Sequence, residues 1–187
     1  MVRKNAKVLL TALLILAMAL VQTACFGGDT ESKKEIRELE LCYVKQAYVD
    51  EEDVTEPFVR YKATIEIPKE LVKKTEDEKD SYAAVGAINM LKTAPPIDGA
   101  TTVIASDVVI NNVTIKYDTA VVDIAGDSIE GTGGSTEESL FISQIVKTLL
   151  DSFDSVSSVQ FVVDGKEADS LMGHIDISTP FAAPTIR

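Results

Sequence analysis

Apolar and polar side chains alternate most clearly about a third of the way along the chain. Val59, Tyr61, Ala63, Ile65 and Ile67 interleave with Arg60, Lys62, Thr64 and Glu66. A period of two belongs to a strand with one dry face and one wet face. It predicts a hairpin joining Leu39–Val49 to Phe58–Ile67, with the acidic loop Asp50-Glu51-Glu52-Asp53 between them and Pro68 closing the second strand. A charged run from Lys69 to Asp80 follows, and then the period changes. Ala84, Ala87, Ile88 and Leu91 recur at helical spacing, so a helix is predicted over Ser81–Lys92, capped by Asp80 or Ser81. Pro95-Pro96 ends it, because proline lacks an amide donor and crowds the preceding turn. Gly86 costs backbone entropy inside that helix and marks a place where a neighbour packs closely.

The second half reads as short strands around one strong helix. Thr101–Ile110 is extended, in one piece or in two with a bend near Ser106-Asp107. Asn111-Asn112 offers a turn, Val113, Ile115 and Tyr117 alternate with Thr114 and Lys116, and Asp118-Thr119 turns again into Val121–Ile124. Connections this short join antiparallel neighbours. Gly126–Gly134 is glycine-rich but lacks a Gly-Lys-Ser/Thr ending and dinucleotide spacing, and Asp127 and Glu130 repel phosphate, so it reads as a flexible surface connection. Ser135 with Glu138 makes a capping box. Ile142, Ile145, Val146, Leu149 and Phe153 then form a helical apolar stripe, with Gln144, Lys147 and Asp151 on the wet side. Val159–Val163 is a strand closed by the turn pair Asp164-Gly165. The sum is an α+β fold: a small, mostly antiparallel sheet with two main helices packed on one face.

The amino terminus follows a different rule. Arg3, Lys4 and Lys7 precede an uncharged run from Val8 to Val21, and Gln22-Thr23-Ala24-Cys25 follows. A basic start, an apolar stretch and small residues before a cut form a secretory signal. The stretch falls short of the ~20 residues a spanning helix needs. Thr-Ala-Cys resembles a bacterial lipobox, in which Cys25 is lipidated and becomes the first residue of the mature protein; Gln22 stands where that motif usually has an apolar residue. An ordinary cleaved signal, or an uncleaved anchor with Cys25 incidental, is the plainer alternative. A diacylglyceryl thioether supplies two or three acyl chains at about 0.8 kcal/mol per buried CH2, enough for a durable tether. The expected organisation is a signal peptide over residues 1–24, a lipid anchor and polar tether over 25–38, and one domain over 39–187. Residues after Cys25 then lie on the extracytoplasmic face of the cell membrane, in an oxidising compartment.

Charge narrows the partners. Three of the 18 basic residues and none of the 30 acidic ones lie in the first 24 residues, leaving 15 bases against 30 acids in the exported part. Such a surface repels phosphate backbones, which argues against nucleic acid. If Cys25 carries lipid, Cys42 has no partner in the chain; in Leu41-Cys42-Tyr43-Val44 it reads as a small core residue.

Candidate chemistry is sparse. His174 is the single histidine, and Asp176 is placed to orient it, but no Gly-x-Ser-x-Gly elbow accompanies them. One His and one buried Cys fall short of a zinc ligand set. The acids at Asp50–Asp53 and Glu76-Asp77-Glu78 lack both EF-hand spacing and the facing geometry of a glycosidase. No catalytic residue, metal site or cofactor is therefore assigned.

Thr101–Phe181 resembles the GerM-type (GerMN) domain of sporulation and spore-germination lipoproteins. Val113–Ile124 is similar to that domain's central hairpin, Ile145–Leu149 with Val156–Gly165 to its helix–strand–turn segment, and Gly173-His174-Ile175-Asp176 through Phe181 to its closing motif. The resemblance implies a compact domain similar to ring-building motifs of envelope assemblies, with no catalytic residues. The leading expectation is a membrane-anchored interaction module that helps assemble an envelope complex, with protein partners and self-association both open. A cell-wall hydrolase and a small-ligand or cation sensor are the alternatives. The interaction-module reading expects an exposed apolar patch or an unpaired sheet edge.

Overall fold

A computed structural model describes residues 34–52, 55–93, 95–131 and 133–186. The expected hairpin forms between β1 (Ile36–Lys45) and β2 (Phe58–Glu66), with Leu39 opposite Ala63, Leu41 opposite Tyr61 and Tyr43 opposite Val59. β1 starts three residues before the predicted Leu39. The charges there are not a solvated tether. Arg37 contacts Glu76, Glu35 at 3.0 Å and Asp80 at 2.9 Å, and the buried Lys79 reaches Glu35 at 3.0 Å and Glu76 at 2.9 Å. β1 also ends early, where the chain turns into the one-turn α1 (Gln46–Val49).

α2 (Glu76–Leu91) starts well before the predicted Ser81. Its cap is Thr75: the Glu78 amide donates to Thr75 Oγ1 at 3.2 Å, and Glu78 Oε2 accepts from the Thr75 amide at 3.0 Å. This reciprocal box, with three acids in the first turn of the helix dipole, turns a stretch that reads as a charged connector into helix. Gly86 does meet a close neighbour. A Cβ there would lie 2.2 Å from Ile65 Cδ1 on β2.

The α+β class stands, but the strands divide into two sheets. β3 (Ala100–Thr101) joins the first, in the order β2-β1-β3; β4 (Ile110–Lys116), β5 (Thr119–Ile124) and β6 (Ser158–Val163) make the second in that order. Asn111-Asn112 lies within β4 at a register shift, and the tight turn falls at Tyr117-Asp118, with Tyr117 at φ 59. β5 and β6 pair in parallel. The long helix α3 (Ser135–Ser152) lies between them in sequence and supplies the crossover that parallel strands require. Thr102–Val109 is irregular rather than extended, yet it buries Ile104 and Val108.

α3 carries the core between the sheets. Ile142, Ile145, Val146 and Leu149 are fully buried with Val122, Ile124, Val159 and Phe161; each such side chain contributes roughly 1.5–3 kcal/mol relative to exposure. The polar positions of α3 depart from expectation. Glu138 and Gln144 are fully buried, and the helix begins from Gly134 without a side-chain cap.

Candidate functional site

The edges of the two sheets decide what the surface offers. An edge strand exposes unpaired amides and carbonyls, and most proteins cover or guard them. Along β1, α3 provides the cover through residues spaced one helical turn apart. Ser152 Oγ accepts from the Glu40 amide at 2.9 Å, and Thr148 Oγ1 accepts from the Cys42 amide at 3.0 Å. Gln144 continues the row past β3, its Oε1 accepting from the Val103 amide at 3.3 Å. On β4, Ser81 of α2 accepts from the Ile115 amide at 2.8 Å. On β6, Val159 and Phe181 exchange amide-to-carbonyl bonds at 2.9 and 2.8 Å, and the Phe161 and Phe181 rings meet edge to face.

β2 has no such neighbour among the described residues. Because the amides of Glu40 and Cys42 point away from β2, their cross-strand partners Lys62 and Arg60 turn their own amides and carbonyls outward as well. The outer edge of β2 therefore presents the backbone of Arg60, Lys62 and Thr64. A hollow of about 710 Å³ borders it, lined by Leu39, Tyr61, Lys62, Ala63, Thr64 and Met90 among others. The wet face beside this edge carries paired charges: Arg60 to Asp151 at 2.8 Å, Lys62 to Glu40 at 3.6 Å and Lys34 to Glu66 at 2.8 Å. Burial works against ionisation of Asp151, but hydrogen bonds from Arg60 and Lys147 hold its carboxyl below the usual range. Among the described residues, the outer edge of β2 is thus an unpaired edge of the kind the interaction reading expects.

A second hollow of about 940 Å³ lies where α1, the segment after β3 and the start of α3 meet, with Tyr48, Val49, Val103 and Leu140 among its walls. Burial lowers the ammonium pKa of Lys92 there. Glu51 and Glu137 share the wall and repel an anion that Lys92 attracts.

The remaining sequence candidates sort as follows. Cys25 lies outside the described residues. Cys42 is fully buried, and burial together with the nearby Asp151 carboxylate pushes its thiol pKa up to about 12, so it is inert at neutral pH. The side chains of His174 and Asp176 are not hydrogen-bonded to each other: Asp176 Oδ1 accepts from the Ser178 amide at 2.8 Å, the Ser178 side chain and this amide together lower the carboxyl pKa, and His174 takes part through its backbone. Glu76 and Glu78 serve the helix start and the Arg37 cluster. No group of three or more His, Cys, Asp or Glu positioned to hold a metal occurs among the described residues.

The Gly126–Gly134 segment is not purely a surface connection, since Ile129 is buried and Gly126–Ser128 forms a 3-10 turn. Sequence reasoning gave Glu138 a capping role at Ser135, which it does not play, and missed its role as an acceptor for the C-terminal segment. Its Oε1 accepts from the amides of Leu171 and Met172 at 3.0 and 2.9 Å, and its Oε2 from those of His174 and Ile175 at 2.7 and 3.1 Å. Gly173, at φ 94, lets the chain bend so that amides on both sides converge on one carboxylate.

Comparison with known families gives a match over residues 43–169 to Germane, described as sporulation and spore germination. The chain belongs to the Germane family. The Germane match takes in the end of β1 from Tyr43, the other strands and both long helices, and stops short of the Gly173–Phe181 motif. Among solved structures, the tandem GerMN domains of the sporulation protein GerM from Bacillus subtilis are 20% identical, with a TM-score of 0.50 over 80% of this chain and 46% of that one. That likeness shows a shared fold. A designated lipoprotein from Clostridium perfringens is 20% identical over 83% of this chain and 92% of its own, with a TM-score of 0.49. The first GerMN domain of GerM gives 20%, 79%, 93% and 0.48 in the same terms. Comparison with curated proteins gave no match. Among the described residues, no helix is long and apolar enough to cross a membrane.

Proposed function

We propose that this Germane-family protein is a lipid-anchored, non-catalytic module on the extracytoplasmic face of the cell membrane. It binds a protein partner along the outer edge of β2 and so helps to assemble or hold an envelope complex connected with sporulation or germination. The observation that carries this reading is the contrast between edges: side chains of α2 and α3 and the C-terminal segment border the others, while the backbone of Arg60, Lys62 and Thr64 is left open. Adding a strand to an open edge is a recurrent mode of recognition, in which the main chain supplies affinity and alternate side chains supply selectivity.

A photo-crosslinking side chain at Lys62, placed in the full-length protein in intact cells, tests the reading. The expected result is a discrete crosslinked product that is lost when Thr64→Pro is added, which deletes an outward-facing amide that the described residues of the domain do not use. Thermal melting of Thr64→Pro checks that the fold survives. A full-length, folded protein that yields no product from Lys62 sinks the β2 reading.

A further inference from the structure

The charges that guard β2 against arbitrary strands are complementary to β2 itself. Consider a second copy laid antiparallel on the outer edge, with the two-fold axis passing through Ala63. Arg60 then stands opposite Glu66, Lys62 opposite Thr64, Tyr61 opposite Ile65 and Ala63 opposite its twin. The outward-facing residues pair with each other, as antiparallel hydrogen bonding requires. Opposite charges and aromatic–β-branched pairs placed directly across two strands both stabilise. The small side chain of Ala63 leaves room at the centre, beside the hollow lined by Tyr61 and Met90.

Neighbouring registers do worse. Centring on Lys62 spans the whole strand but sets two ammonium groups against each other, and centring on Thr64 keeps only Lys62–Glu66 of β2 in the overlap. Ala63 gives the longest overlap free of like-charge opposition. The groups involved are accessible, with side-chain exposures of 58% for Arg60, 85% for Lys62 and 52% for Glu66.

We infer that β2 pairs with β2 of a second copy in the Ala63-centred register, joining two three-stranded sheets into one six-stranded sheet. This rests on the reading of β2 as the binding edge and names a second copy of the chain as the occupant.

Single cysteines at Lys62, Ala63 and Thr64 in the full-length protein test the register, with the unsubstituted chain, which already contains Cys25 and Cys42, as the background. Oxidation is expected to give a dimer at twice the chain mass from Ala63→Cys, and much less from K62C or T64C. Glu66→Arg sets two guanidinium groups opposite each other and is expected to weaken dimerisation by about ten-fold, with R60E/E66R restoring it. Cooperative thermal melting of each variant confirms that it folds. Strongest crosslinking at position 62 or 64, or no rescue by the double exchange, overturns the register. The Lys62 photo-crosslink separates the levels: a product of twice the chain mass supports self-pairing, and a product of any other mass overturns it while leaving the edge as a binding site. No product at all overturns both.

Discussion

The amide of His174 donates to Oε2 of Glu138 at 2.7 Å, and the imidazole is not part of that contact. This relationship explains the closing Gly-His-Ile-Asp segment without chemistry. Its backbone wraps a carboxylate that projects from the first turns of α3, and the four amides on Glu138 fix residues 171–175 against the core. Glu138→Ala leaves those amides without an acceptor. The expected cost is about 3–5 kcal/mol, since hydrogen bonds to a charged group contribute more than neutral ones and buried amides lose their solvation. Thermal denaturation should show a fall of roughly 10 °C, taking 2–4 °C per kcal/mol for a domain of this size. His174→Ala should stay within about 0.5 kcal/mol of the parent, because its contribution is backbone. A large loss in His174→Ala counts against this account.

Gly86 and Ile65 predict a coupling. A Cβ at position 86 would sit 2.2 Å from Ile65 Cδ1. Alanine gains up to about 1 kcal/mol over glycine in a helix interior, but here Ile65 must leave its rotamer, which costs about 0.5–1.5 kcal/mol. Gly86→Ala alone should therefore be close to neutral. Ile65→Val removes the offending atom, so G86A/I65V should be more stable than the sum of the single changes by about 0.5–1 kcal/mol. Strict additivity in urea denaturation would mean that the two sites do not touch.

Cys42, Asp151 and Arg60 give a pH prediction with two signs. Asp151 is held below its ordinary 3.8, so its contribution is present above that value and is lost as pH falls further. Cys42 is raised from 9.0 to about 12, so its contribution is present below 9.0 and declines as pH rises towards 12. At pH 8 the native protein should leave Cys42 unmodified by a thiol reagent, with modification appearing on addition of denaturant. Rapid labelling of Cys42 under native conditions would contradict its burial. Asp151→Asn should flatten the acid limb of the stability profile and leave the alkaline limb largely to the thiol.

How far these features were legible in the sequence depends on the range of the signal. Strict alternation from Val59 to Glu66 specifies β2 because each residue reports its own face. The apolar stripe of α3 is legible for the same reason. Caps were less so: Ser/Thr-x-x-Glu patterns stand at the starts of both long helices, at Thr75 and at Ser135, and only Thr75 makes the box. At Ser135 the glutamate is drawn instead to amides 33 to 37 residues away, a tertiary contact that no local pattern announces. Gln144, Thr148 and Ser152 recur every four residues beside the apolar stripe of α3, and that spacing was the available clue to an edge-sealing row. Division into two sheets was hidden because the two-residue β3 is too short to carry a period.

The anchor provides the last prediction. Cys25 lies outside the described residues, so its role rests on the leader pattern and on the arithmetic of acyl chains. Two or three chains, at about 0.8 kcal/mol per buried CH2, hold a protein far more firmly than one. No described helix provides an alternative means of crossing the membrane. Cys25→Ala should therefore shift the protein from the membrane fraction to the medium, or leave an unprocessed precursor with its leader attached. Metabolic labelling with a fatty-acid analogue should mark the parent chain and not the variant. Since Cys42 is buried with a thiol pKa of about 12, it is a poor substitute acceptor, and any label should map to position 25. Unchanged membrane association of a normally processed, unlabelled Cys25→Ala protein would move the tether elsewhere in the chain.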